Sequence, residues 1–121
     1  MDKSLKHIKV ERRGDVFCVH LRRSELQESD ILEFADELLK LITADGCRKM
    51  VLSLGPGEVD CLYSVFLAKL VMVRRHLTER GGQFKISDAS AETIGIFEAC
   101  RLKQYFDFYP DMDAAVAAFA G

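Results

Sequence analysis

No stretch of this 121-residue chain is apolar for anything near the ~20 residues that a membrane-crossing helix requires. The opening Met1-Asp2-Lys3-Ser4-Leu5-Lys6 also lacks the apolar core of a secretory signal. Cysteine pairs are missing: Cys18, Cys47, Cys61 and Cys100 lie scattered, with no Cys-x-x-Cys and no histidine at ligand spacing. That leaves no zinc-site spacing and no secreted disulfide framework, so free, mostly buried thiols in a reducing cytoplasm are expected. A basic excess is missing as well. Seventeen Lys and Arg against nineteen Asp and Glu give a formal charge of -2, which excludes a globally cationic surface for a nucleic acid backbone. No Pro-, Ser- or Gly-rich linker and no internal repeat divides the chain. One domain over residues 1–121 is expected, burying roughly two-thirds of its unfolded surface.

Catalytic constellations are equally sparse. His7, His20 and His76 fall on a terminus, a strand and a helix, with no Ser or Cys beside them in a nucleophile motif. Gly55-Pro56-Gly57 lacks the Gly-x-x-x-x-Gly-Lys pattern of a phosphate loop, and Pro56 removes an N–H donor. Asp107 and Asp111 have no third ligand at metal-binding spacing, while Asp111 and Asp113 suit a helix start. The acidic pair of a response-regulator receiver is missing. No enzyme activity, cofactor or metal is expected.

What the chain does have is a regular alternation of strand and helix patterns. Ile8–Arg12 and Val16–Leu21 read as strands joined by an Arg13-Gly14-Asp15 turn, the second buried on both faces. Ile31, Phe34, Ala35, Leu38, Leu39 and Ile42 trace one helical face, with Ser29 as the expected N-cap and Gly46 as the terminator. Met50–Leu54 supplies a central strand, residues 64–80 a second helix, and Gly81-Gly82 its end. Gln83–Ser87 is a further strand. Ser90 caps a third helix reaching about Cys100, with Ile94 and Phe97 inward. Tyr105–Phe108 is a last short strand, and Asp111 opens a terminal helix striped by Met112, Ala115, Val116 and Phe119. The order predicts an α/β domain: a mostly parallel sheet of 4–5 strands, an N-terminal hairpin and about four covering helices.

The segment Leu62-Tyr63-Ser64-Val65-Phe66-Leu67 resembles the signature of STAS domains, the family of bacterial anti-sigma factor antagonists. That signature reads roughly Ile-Asp-Ser-Ser-Gly-Leu, and its second Ser is the one phosphorylated. Here Leu62 matches the Ile, Ser64 the first Ser and Leu67 the Leu. Tyr63, Val65 and Phe66 replace the Asp, the phosphorylated Ser and the Gly. The resemblance extends along nearly the whole chain. Gly81-Gly82 precedes an inner strand, Leu102-Lys103-Gln104-Tyr105-Phe106 fits Leu-x-x-x-Phe, and Asp111 to Phe119 fits the terminal helix. Arg101 stands where a Gly is usual, Ser53 where Asp or Asn is frequent, and Gly55-Pro56-Gly57-Glu58 lengthens the loop before the signature by about two residues.

The resemblance implies a non-catalytic regulator in a partner-switching pathway. Its implied partners are an anti-sigma factor that is a Ser/Thr kinase and a metal-dependent Ser/Thr phosphatase, and the chain itself would be a monomer or weak dimer. A second use of related domains is ligand sensing or accessory service to lipid transport. Tyr63, Ser64, Val65, Phe66 and Lys69 are the expected partner-binding residues. Ser64 has two open readings, helix N-cap or alternative phosphate acceptor beside Val65, which has no hydroxyl. Tyr63, Val65 and Phe66 also have two: an exposed docking patch or a buried helix anchor. In helical projection, Leu67, Leu70, Val71 and Leu77 form an apolar arc, and Lys69, His76 and Arg80 a basic row. Arg74 falls among the apolar positions and is expected to snorkel.

Overall fold

The strands and helices alternate in a computed structural model that describes residues 5–120. In chain order they are β1 (Ile8–Arg13), β2 (Val16–Leu21), β3 (Glu25–Leu26), α1 (Glu28–Thr43), β4 (Lys49–Ser53), β5 (Asp60–Cys61) and α2 (Tyr63–Glu79). There follow β6 (Gln83–Ser87), α3 (Ala91–Ala99), β7 (Asp107–Tyr109) and α4 (Met112–Ala118). The main sheet runs β1-β2-β4-β6-β7. Only the β1–β2 hairpin is antiparallel. β3 and β5 form a separate two-stranded parallel ribbon, Glu25 opposite Asp60 and Leu26 opposite Cys61.

The pleat distributes β2 and β4 between two cores, because successive side chains leave opposite faces of a sheet. Phe17, Val19, Met50, Leu52 and Ile86 join Phe34 and Leu38 of α1 and Phe66 and Leu70 of α2 in the larger core. Val16, Cys18 and Val51 face the other way, against Met112 and Ala115 of α4. The sheet is therefore covered on both faces, as apolar β2 required. Lys85 also lies on the α4 side and is buried there, its Nζ 3.4 Å from Asp107, 3.3 Å from the Tyr109 hydroxyl and 4.9 Å from the Phe119 ring centre.

The two glycines after α2 serve different ends. Gly81 takes φ 77°, the left-handed exit that a side chain disfavours. A Cβ on Gly82 would strike the Arg48 carbonyl oxygen, because Gln83 N–H donates to that same carbonyl at 2.8 Å. Arg101, where a Gly was expected by resemblance, sits at φ 60°.

Several boundaries differ from expectation. α1 is capped by Gln27 rather than Ser29, and the Gln27 N–H donates to Asp30 at 2.9 Å. Asp30 reaches back as the third helical residue, a capping-box role that starts the helix earlier. The last strand is Asp107–Tyr109, since Lys103–Tyr105 curl into a 3-10 turn first. Ile94 is only half-buried; Thr93 and Phe97 are the inward side chains of α3.

The chain before β1 is clamped to α1. Glu37 accepts the backbone N–H groups of Lys6 and His7 at 2.6 and 3.0 Å, and His7 Nε2 meets Glu33 at 2.8 Å. His7, Asp30 and Glu33 thereby bring potential ligand atoms within 4.8 Å of one another. Each has a structural role already, Asp30 as acceptor of the Gln27 N–H at the start of α1 and Glu33 as the partner of His7.

Candidate docking surface at the start of α2

The path into α2 is set by short-range constraints. Asp60 N–H donates to Ser24 at 2.7 Å, which docks β5 on β3. Leu62 then takes an extended conformation (φ -79°, ψ 97°) and is the N-cap, its carbonyl accepting from Phe66 N–H at 3.1 Å. Tyr63 is thus the first helical residue and Ser64 the second. The capping reading of Ser64 is corrected: α2 has no side-chain cap and no acidic residue in its first turn. The other described α-helices do have such residues, namely Glu28 and Asp30 in α1, Ser90 and Glu92 in α3, and Asp111 and Asp113 in α4. The first turn of α2 therefore offers its unpaired N–H groups no acid or cap of its own.

The five residues expected to bind a partner divide between surface and interior. Ser64 is exposed. Val65 and Lys69 are half-buried along the edge of the helix. Phe66 is wholly buried, its ring stacked on Phe34 at 5.8 Å, and so is corrected to a helix anchor. Tyr63 is half-buried, edge-on to Phe66 at 6.1 Å, and its hydroxyl donates to the Val59 carbonyl at 2.8 Å. Burial, more than any other influence, pushes the Tyr63 hydroxyl pKa up. The nearby Cys61 thiol is raised to about 11 by burial, so it stays protonated at neutral pH.

Glu58, from the lengthened loop, ties the junction to α3. Its carboxylate accepts from the Ser90 hydroxyl at 2.8 Å and the Thr93 hydroxyl at 3.3 Å, and Thr93 lies 3.5 Å from the Tyr63 hydroxyl. On the α4 side of the sheet, Ser53 and Ser87 both donate to Asp88, at 3.0 and 2.7 Å. Ser53 thus fills its position by hydrogen-bonding a carboxylate from the neighbouring strand end. Beside it, a crevice of about 350 Å³ is lined by His20, Ser53, Gly55, Pro56 and Asp88 from the sheet side.

The outward face of α2 holds residues that sequence reasoning missed. Leu62 is 53% exposed and Val71 37%. Ser64, Ala68 and Val71 follow one another at i, i+4 and i+7 on the solvent side. The expected apolar arc is corrected at Val71: the buried positions are Phe66, Leu67, Leu70, Val73 and Leu77, because those face α1 and the sheet. Of the basic row, Lys69 and His76 are half-buried and Arg80 donates to the His76 carbonyl at 3.1 Å. Arg74 does snorkel, its guanidinium 5.7 Å from the Tyr105 ring centre.

Neither a family model nor a curated protein matches the sequence. Solved structures do match the fold. An anti-sigma-factor antagonist (STAS) domain protein from Planctomyces limnophilus superposes with a TM-score of 0.81 at 19% identity, covering 94% of this chain and 98% of that one. A candidate anti-sigma factor antagonist from Thermotoga maritima gives 0.80 at 16% identity, with 94% and 95% covered. The Bacillus cell fate determinant SpoIIAA, in its phosphorylated form, gives 0.69 at 12% identity, with 92% and 98% covered. With its five-stranded mostly parallel sheet, N-terminal hairpin and four α-helices, the chain has the fold of a single STAS domain.

Proposed function

We propose that this chain is a non-catalytic regulator of the anti-sigma factor antagonist type, which docks on a protein partner through the start of α2. The observation that carries the reading is that the outward face of α2 is exposed and uncharged over its first two turns, at Ser64, Ala68 and Val71 beside the exposed cap Leu62. Arg75 is the first charge on that line, and the first turn has no acid. A solvent-facing helix surface is ordinarily charged, and an uncharged one suits burial against another macromolecule. The partner is an anti-sigma factor of the Ser/Thr kinase type, and a metal-dependent Ser/Thr phosphatase reverses any modification. Likeness to SpoIIAA, an anti-sigma factor antagonist solved in phosphorylated and unphosphorylated forms, supports that assignment. The setting is the cytoplasm.

Control takes one of two forms. With Val65 at the usual acceptor position, the surface stays permanently competent for binding. Alternatively Ser64 accepts the phosphate. A phosphoryl group there adds roughly -1.5 to -2 charge, which the N-terminal end of α2 stabilises within the domain. The same charge among the uncharged first two turns of that face must be desolvated when a partner packs on it, so binding weakens.

Incubation with the cognate kinase and ATP, followed by phosphosite mapping, separates the two forms. Phosphate at another residue with Ser64 unmodified rejects Ser64 as acceptor. Pull-downs with wild type and Ser64→Ala are expected to recover a kinase-type or phosphatase-type partner. Recovery of neither by either protein rejects the docking function itself.

A further inference from the structure

β1 is an outer strand of the main sheet, paired with β2 on one side, and Lys9, Glu11, Arg12 and Arg13 along it are exposed. Residues of an antiparallel strand alternate between those bonded to the neighbour and those whose N–H and C=O point away from it. Arg22 N–H donates to the His7 carbonyl at 2.9 Å, and Ile8 stands opposite Leu21 in the ladder. This fixes the phase: His7, Lys9, Glu11 and Arg13 turn their backbone groups to β2, while Ile8, Val10 and Arg12 turn theirs outward. The Ile8 carbonyl accepts from the Arg22 side chain at 2.9 Å, which leaves its second lone pair free.

We propose that this edge pairs antiparallel with the same edge of a second copy of the chain, about a two-fold axis through Val10, giving one sheet continuous across the dimer. In that register Val10 opposes Val10, and Ile8 opposes Arg12, so every bonding position falls on a residue whose backbone groups turn away from β2, with the Ile8 carbonyl oxygen shared with Arg22. Lys9 then opposes Glu11 of the second copy, and Glu11 opposes Lys9, in the close non-hydrogen-bonded positions where cross-strand charges interact best. Val10 is half-buried against the larger core, and meeting its own copy extends that apolar layer across the axis.

Other registers fail. An axis at Lys9 or Glu11 also leaves outward-turned residues in the bonding positions, but it sets Lys9 against Lys9, or Glu11 against Glu11 and Lys9 against Arg13, so like charges stand directly opposite. An axis at Arg12 sets Arg12 against itself, displaces its guanidinium from the Phe17 face 4.0 Å away, and runs the pairing into the Gly14 turn. Charges along an edge discourage pairing with arbitrary strands. The Lys9-Val10-Glu11 order discourages them while admitting its own copy. Because α2 crosses from β4 to β6, inward of this edge, each subunit of such a dimer keeps its α2 surface open, whatever that surface binds.

Sedimentation equilibrium of the full chain over a wide concentration series is expected to show a monomer–dimer equilibrium that weakens with added salt. A monomer at every concentration overturns the proposal. Lys9→Glu and Glu11→Lys are each expected to weaken the dimer about tenfold, since symmetry doubles every like-charge contact. Mixing these two variants restores it as a heterodimer, because all opposed pairs then carry opposite signs. Val10→Pro abolishes it and retains the β1–β2 ladder, since the lost N–H points outward; circular dichroism checks the retained fold. Single charge variants that dimerise as tightly as wild type, or a mixture that stays weak, overturn it equally.

Discussion

The Tyr63 hydroxyl donates to the Val59 carbonyl at 2.8 Å, so the first residue of α2 holds the loop that delivers the chain to it. From Tyr63 the polar contacts continue through Thr93 to Ser90 and Glu58, bracing α2 against the start of α3. An aromatic side chain in a signature loop invites a reading as a contact residue. Here its ring and hydroxyl are both engaged within the domain.

Tyr63→Phe should therefore act on stability and not on partner binding. Losing the hydrogen bond to Val59 is expected to cost about 1 kcal/mol. Urea unfolding measures the cost, and a pull-down with the variant is expected to recover as much partner as wild type. A variant as stable as wild type but defective in binding would move Tyr63 back to the contact surface.

Ser64→Ala and Ser90→Ala should differ sharply in stability. Ser90 caps α3, accepting from Thr93 N–H at 3.0 Å, and its loss is expected to cost about 1 kcal/mol. Ser64 caps nothing, so its replacement is expected to stay within about 0.5 kcal/mol of wild type. Equal losses in chemical denaturation would contradict Leu62 as the cap of α2.

Arg101 occupies a backbone conformation with φ 60°, where an L side chain costs about 1–2 kcal/mol. Arg101→Gly removes that cost, partly offset by the greater freedom of glycine when unfolded. A gain of about 1 kcal/mol is expected, read as a higher urea midpoint at unchanged slope. A lower midpoint would mean that contacts of the Arg101 side chain outweigh the relief.

Stability should fall in acid partly through Glu33. The hydrogen bond from His7, then the nearby Lys6 charge, holds the Glu33 carboxyl below its ordinary 4.5. A depressed folded-state pKa contributes stability that is fully present above the unfolded value and is lost as pH falls through the folded value. Wild type should thus exceed Glu33→Gln in stability at neutral pH, with the gap closing below about pH 4.5. Denaturation curves of both proteins across that range test it, and a gap that persists in strong acid would refute it.

Much of the architecture follows from local pattern. The six-residue stripe from Ile31 to Ile42 requires one buried helical face, and α1 buries Ile31, Phe34, Ala35, Leu38 and Ile42. The apolar run Val16–Val19 can be buried only by cover on both sides of a sheet, and α4 together with α1 and α2 supplies it. Gly81-Gly82 ends α2 because Gly81 takes the left-handed exit that side chains disfavour and Gly82 lies where a Cβ would strike Arg48. Such features depend on the period of a segment and on sterics within a few residues.

The surface at the start of α2 was decided otherwise. Whether Phe66 or Val71 is buried depends on where α1 lies over α2, a relation between residues distant in sequence that no helical projection contains. The β3–β5 ribbon is two residues long on each side, too short for alternation to register, yet it sets where Leu62 caps and therefore which way Ser64 points. The sequence by itself determined the layers of this protein, because burial of apolar periodicity leaves few alternatives. Only tertiary packing decided which side chains of the signature reach solvent, because neighbouring elements compete to cover them.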